Sequence, residues 1–222
     1  MIELKNITKT YQTGDVVTQV LKGVHLRVEK GEFVAIKGAS GSGKTTIMHI
    51  IGLLDRPSGG EYLFEGKDVA KMTDEQLAAL RNEKIGFVFQ AFYLLPRTSV
   101  LENVMLPTLY SKHKRDEKQD RERALELLNR VRLSHRVNNF PNQISGGEMQ
   151  RVAIARALMN DADVILADEP TGNLDLANTE QVMSIFRELH ALGKTIIIVT
   201  HEEEVAKQCE RIIHVRDGII VS

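Results

Sequence analysis

Short apolar blocks separated by polar turns occupy the first third of the chain. Residues 2–7, 25–28 and Phe33–Lys37 predict strands, with turn signals such as Lys30-Gly31 between them. A glycine-rich stretch follows, and then a helical pattern over 44–54. Arg56-Pro57-Ser58-Gly59-Gly60 reads as a turn, 61–64 as a strand, 74–82 as a helix and Ile85–Phe89 as a compact apolar strand. From 98 to 158 the period becomes helical. Within that stretch the apolar stripe Ala124, Leu127, Leu128 and Val131 has helical spacing. Residues 112–123 hold six basic and four acidic side chains, a pattern that predicts a solvated helix face, with Glu117 and Arg121 one turn apart in the favourable order. Runs 164–167 and 196–199 are continuously apolar, as in strands buried on both faces of a parallel sheet. Between them 179–191 reads as a helix, with Gly193 near its C-terminal end. Strand–helix–strand order here and around 33–54 predicts an α/β fold, with 98–158 as a helical insertion.

Composition narrows the possibilities by exclusion. The 222 residues suit one domain or one domain with a subdomain, and 42% hydrophobic with 27% charged residues argues against disorder. A net charge of −1 gives no bulk attraction for nucleic acid or an anionic membrane. Cys209 alone excludes an internal disulfide and a multi-cysteine metal site. No stretch approaches the roughly 18 apolar residues of a membrane helix, and the best, 47–54, is interrupted by His49. The N-terminus lacks the basic-then-apolar order of a secretory signal. These features predict a cytoplasmic protein with no nucleic-acid partner and no direct membrane insertion, so that work at a membrane needs another chain to span it.

Candidate chemistry enters at Gly38-Ala39-Ser40-Gly41-Ser42-Gly43-Lys44-Thr45, which matches G-x-x-x-x-G-K-[ST] between a predicted strand and a predicted helix. Glycines let backbone N–H groups turn inward around phosphate oxygens, and a helix N-terminus adds partial positive charge. Lys44 has the reach for β- and γ-phosphates, and the Thr45 hydroxyl suits Mg²⁺. Kinases, GTPases and ATPases all share such a cradle. The run 164–167 ends in Asp168-Glu169-Pro170, which alone is also an ordinary solvated strand end. With the cradle upstream, Asp168 fits a carboxylate for the metal and Glu169 a base for the attacking water. No Asn-Lys-x-Asp guanine reader is present, which argues against a GTPase.

Ile144-Ser145-Gly146-Gly147-Glu148, followed by Met149-Gln150-Arg151-Val152-Ala153-Ile154-Ala155-Arg156-Ala157-Leu158, resembles the signature motif of ABC-type ATPases, the nucleotide-binding subunits of ATP-driven transporters. The resemblance extends along nearly the whole chain in the expected order. It implies a P-loop NTPase core with a mainly parallel sheet, an N-terminal antiparallel β subdomain and an inserted helical subdomain. It also implies that Tyr11 stacks on adenine, and that Ser40, Gly41, Ser42, Gly43, Lys44, Thr45 and Thr46 bind the phosphates of ATP. Gln90 resembles the Q-loop glutamine that, with Thr45 and Asp168, attends Mg²⁺. Glu169 resembles the catalytic glutamate, Asn173-Leu174-Asp175 the D-loop and His201 the switch histidine. Ser145, Gly146 and Gly147 then meet the γ-phosphate held by a second copy, so that two chains sandwich two ATP molecules. Ser145-x-x-Glu148 is at the same time a capping box. The usual pattern is Leu-Ser-Gly-Gly-Gln. Glu148 therefore predicts a weakened trans contact unless its carboxylate points away.

Residues 85–90, 94–97, 101–104 and 168–175 resemble the macrolide-export and lipoprotein-releasing branch. That resemblance implies an integral-membrane permease partner, ATP-dependent dimerisation and a place on the cytoplasmic face of the membrane. ABC ATPases of DNA repair and translation form the alternative, but they usually carry coiled-coil insertions or two fused cores, and neither pattern is found here.

Overall fold

The computed structural model describes residues 1–112 and 116–221, so residues 113–115 of the charge run lie outside the described residues. In chain order the elements are β1 (Ile2–Thr13), β2 (Val16–Val28), β3 (Phe33–Lys37), α1 (Lys44–Ile51), β4 (Gly59–Phe64), β5 (Lys67–Asp68), α2 (Asp74–Lys84) and β6 (Ile85–Phe89). Then come α3 (Val100–Met105), α4 (Glu117–Arg130), α5 (Gly146–Ala157), β7 (Val164–Asp168), α6 (Leu176–Ala191), β8 (Thr195–Thr200), α7 (Glu203–Ala206), β9 (Arg211–Arg216) and β10 (Ile219–Ile220). Contacts group into two compact units, 1–78 with 195–222, and 79–194.

The first unit holds an antiparallel sheet in the order β2-β1-β4-β5 and a parallel set in which β3 pairs with both β8 and β9. Phe33, Val34, Ala35 and Ile36 are all buried, and so is every residue of β8, which explains the uninterrupted apolar runs in both strands. β1 continues to Thr13, well past the predicted end at residue 7. Beyond buried Lys9 it is polar and largely exposed; backbone pairing with β2 holds it, from Thr10 opposite Gln19 to Thr13 opposite Val16. Cys209 is half-buried, and burial pushes its thiol up to about 12, which makes it a poor nucleophile.

In the second unit β6 and β7 run parallel, from Ile85 opposite Val164 to Phe89 opposite Asp168. The stripe Ala124, Leu127, Leu128 and Val131 is buried, as its period predicts. Close packing also fixes Gly86: a Cβ there would lie 2.3 Å from the Ala157 carbonyl oxygen. Buried Asn103 on α3 ties down the preceding loop, accepting from the Leu95 N–H at 2.7 Å and donating to the carbonyls of Leu95, Thr98 and Ser99. Among the described residues no helix is long and apolar enough to cross a membrane.

Candidate active site

In the first unit, β3 delivers the chain into the loop 38–43 and α1 receives it. Gly38 has to be bare, because a Cβ would lie 2.2 Å from the Val215 carbonyl oxygen. Gly41 has φ +76, a left-handed backbone that favours glycine, with open space where a Cβ would stand. Gly43, φ +105, caps α1 without any side-chain acceptor, so the first-turn N–H groups keep their capacity for an anion. Ser42 Oγ is buried with no hydrogen-bond partner, an orphaned polar atom at the same loop. Lys44 is buried and its ammonium donates to the Ala39 carbonyl at 2.9 Å, folded back over the loop. Ser40 and Thr45 are exposed and Thr46 is half-buried. The residues present thus fit a polyphosphate.

Tyr11 stands on the outer half of β1, 40% exposed. Its hydroxyl donates to Asp55 Oδ2 at 2.7 Å, while Lys9 donates to Asp55 Oδ1 at 2.6 Å and to the Arg56 carbonyl at 2.8 Å. The Lys9 ammonium also lies 4.8 Å from the Tyr11 ring centroid. Burial and then the Asp55 contact raise the Tyr11 phenol; burial raises Asp55, but Lys9 and Tyr11 outweigh it and hold the carboxyl low. Lys9 and Asp55 carry no motif, and separations of 44 and 46 residues hide the cluster from the sequence. His201 is exposed at the exit of β8.

The second unit gathers the other candidates. Because Phe89 pairs with Asp168, Gln90 and Glu169 leave neighbouring parallel strands at the same level. Gln90 is tied to the turn between β7 and α6: Asn173 Nδ2 donates to the Gln90 carbonyl at 3.2 Å, and Gln90 Nε2 donates to Asn173 Oδ1 at 3.4 Å. Glu169 has φ +44, a left-handed conformation that costs a non-glycine residue on the order of 1 kcal/mol. The turn is braced at Pro170, whose carbonyl accepts from buried Gln150 Nε2 at 2.7 Å. Gln150 lies on α5, so the helix opened by the signature residues also clamps the strand end that carries Asp168 and Glu169.

That opening is the predicted capping box. Glu148 N–H donates to Ser145 Oγ at 3.3 Å, and Ser145 N–H donates to Glu148 Oε2 at 2.8 Å. The two glycines serve different ends. A Cβ on Gly147 would fall 2.0 Å from Asn178 Oδ1 and 2.9 Å from Asn178 Cβ, whereas one on Gly146 would meet only ordinary contacts at 3.8 Å or more. Packing within the unit therefore demands Gly147, whereas nothing packed around Gly146 requires a bare backbone there. Glu148 Oε1 accepts from Arg136 Nε at 2.8 Å, so the carboxylate is turned to a counter-charge that the sequence did not reveal.

A family model for the ABC transporter matches residues 21–172, more than half of the chain. The chain belongs to the ABC transporter family. It is 53% identical over 221 residues to the macrolide export ATP-binding/permease protein MacB of Chlorobaculum tepidum, an alignment covering 100% of this chain and 34% of MacB. It is 52% identical over 221 residues to the uncharacterized ABC transporter ATP-binding protein YvrO of Bacillus subtilis, covering 100% of this chain and 96% of YvrO. The chain thus spans about a third of the MacB relatives it matches and nearly all of YvrO. Among solved structures, the dimeric post-hydrolysis state of the ATP-binding cassette MJ0796 bound to ADP and Pi superposes with a TM-score of 0.92 at 45% identity, covering 100% of this chain and 97% of that one. The chain is an ABC-type ATPase cassette with the ABC ATPase fold: an antiparallel N-terminal sheet, parallel strands and a helical stretch.

Proposed function

We propose that this chain hydrolyses ATP to drive a membrane permease, by closing as a head-to-tail pair on two nucleotides. The observation that carries the reading is the orphaned Ser42 Oγ in the loop that leads into α1, a helix with no side-chain cap, accompanied in the same chain by a second helix opening at bare Gly146. Residues 1–222 form a single ABC ATPase domain in this reading, with the helical insertion at about 98–158. Ser40 to Thr46 bind the phosphates, Lys44 supplies a point charge to the β- and γ-oxygens, and Tyr11, held by Asp55, offers its ring to adenine. Thr45, Gln90 and Asp168 offer hydroxyl, amide and carboxylate oxygens, a donor set that suits a hard cation such as Mg²⁺. A cation held by such oxygens would neutralise developing phosphate charge. Glu169 takes the proton of the attacking water, and His201 hydrogen-bonds the γ-phosphate and senses its presence. Ser145, Gly146 and Gly147 receive the γ-phosphate carried by the other copy.

The permease contact is proposed at residues 91–96. Phe92 and Tyr93 both have left-handed backbones, φ +60 and +47, and Arg156 donates to their two carbonyls at 2.7 and 2.6 Å. Tyr93 packs edge-on against Phe89 yet stays 65% exposed, and Leu95 is 45% exposed. A rigid loop with exposed apolar side chains next to Gln90 suits transmission from nucleotide to partner. The likeness to MacB favours export or release from the membrane, with the cassette peripheral on the cytoplasmic face. The test is ATP turnover by the purified chain. We expect Mg²⁺-dependent phosphate release that Lys44→Ala removes together with most ATP binding. Equal turnover in the Lys44→Ala chain would overturn the reading.

A further inference from the structure

The signature turn carries a carboxylate at the point where an anion is expected to dock. Glu148 is the third residue of α5, and its side chain is only 12% exposed. Left alone, a carboxylate there would compete with a phosphate for the helix's N–H groups and repel it. Both of its oxygens are occupied. Oε2 takes the Ser145 N–H at 2.8 Å, and Oε1 takes Arg136 Nε at 2.8 Å. His135 Nε2 stands 3.8 Å from Oε1, largely exposed, and Arg151, one turn along α5, shares the field of the carboxylate. Arg136 itself is well supported. Its N–H donates to the carbonyl of buried Leu133 at 2.9 Å, and its carbonyl accepts from the Asn139 N–H at 2.9 Å. Asn139 and Val137 in turn accept backbone bonds from Val100 and Leu101 at the start of α3.

We propose that Arg136 is a positioning residue for the signature turn: by pairing with Glu148 it keeps the carboxylate in the cap and electrically quenched, so that the α5 opening accepts a partner's γ-phosphate. The inference rests on the head-to-tail reading above. A glutamine at 148 could make the same bond to the Ser145 N–H without carrying charge, so it would need no arginine. Residues 136 and 148 therefore act as one unit, and the requirement for Arg136 exists only while 148 is a glutamate.

A double-mutant cycle isolates that dependence. It is run in a Glu169→Gln chain, where hydrolysis is blocked, with ATP-dependent dimerisation followed by light scattering. With Glu148 present, Arg136→Ala is expected to weaken the dimer about five- to tenfold, the size of one partly screened charge contact. Arg136→Lys, which keeps the charge, should recover most of that loss. Combined with Glu148→Gln, Arg136→Ala should cost less than about twofold, since the charge to be quenched is gone. An equal loss in both backgrounds makes Arg136 a prop for the fold and overturns the proposal, as does no loss with Glu148 present. If Arg136→Ala does not fold, Arg136→Gln, which keeps most of the stem and a donor, carries the same comparison. Failure of the parental Glu169→Gln chain to dimerise on ATP overturns the head-to-tail reading as well, and it is seen before any position 136 variant is made.

Discussion

Gly146 and Gly147 are adjacent and chemically identical, and the structure separates them. Gly147 faces α6, where Asn178 is itself fixed: its N–H and its amide both donate to Asp175, at 2.8 and 2.9 Å. Asn178 Cβ, 2.9 Å from the site of a new methyl, belongs to the helix frame and cannot swing aside. Gly147→Ala is therefore expected to lower stability by about 1–3 kcal/mol through overpacking. Gly146→Ala has room at 3.8 Å and should unfold within about 0.5 kcal/mol of the parent, while losing ATP-driven dimerisation because a methyl now occupies the approach to the helix opening. Thermal melts of both variants, with scattering in ATP for the second, check the division. Equal destabilisation by both would mean that packing explains the pair of glycines without a ligand.

Several helices, though not α1, are opened by carboxylate-bearing side chains. Ser99 with Glu102 opens α3, Ser145 with Glu148 opens α5, and Asp175 opens α6. Burial raises Glu148, but the Ser145 N–H and Arg136 outweigh it, and its carboxyl sits below the usual range; the Asn178 N–H lowers Asp175, and Ser99 lowers Glu102. A folded pKa below the unfolded one gives stability that is present above the unfolded value and lost as pH falls through the folded value. Glu148→Gln should thus be less stable than the parent at neutral pH, and the gap in melting temperature should close as pH falls from about 5 to about 3. A gap that does not change with pH would mean the charge on Glu148 adds nothing to folding. This cap was legible in the sequence because its partners lie three residues apart, and Phe33–Lys37 and Ile85–Phe89 were legible because both are continuous apolar strands bounded by turns. The outer half of β1 was not, since backbone pairing holds its polar residues there. β9 went unread because only Ile213 and Val215 mark its buried face. Arg136 with Glu148, Gln150 with Pro170 and Lys9 with Asp55 join residues 12 to 46 positions apart, and no local pattern announces such pairs.

At the scale of the molecule, the order of the motifs along the chain gave the family, while the braces between them came only from the structure. Glu169 shows what those braces are for. Its backbone is held left-handed at φ +44, and the next residue's carbonyl is locked by Gln150 of the signature helix. Glu169→Gln keeps the size of the side chain and leaves this frame intact, so its effect should be chemical. If the carboxylate accepts the proton of the attacking water, hydrolysis should fall by roughly 10²–10⁴-fold. ATP binding should persist, because Lys44, Thr45 and the loop N–H groups are unchanged. Removing a negative charge near the γ-phosphate should also favour the closed pair. The chain should then run as a monomer without nucleotide and as a stable dimer with ATP, and ADP should not replace ATP, since in the proposed pair the γ-phosphate is what would meet the second copy's Ser145 and Gly146. Size-exclusion chromatography with light scattering reads the three states directly. Undiminished hydrolysis in this variant removes the base role from Glu169. Slow hydrolysis with a dimer that forms equally in ADP keeps the base and removes the γ-phosphate from the closing contact.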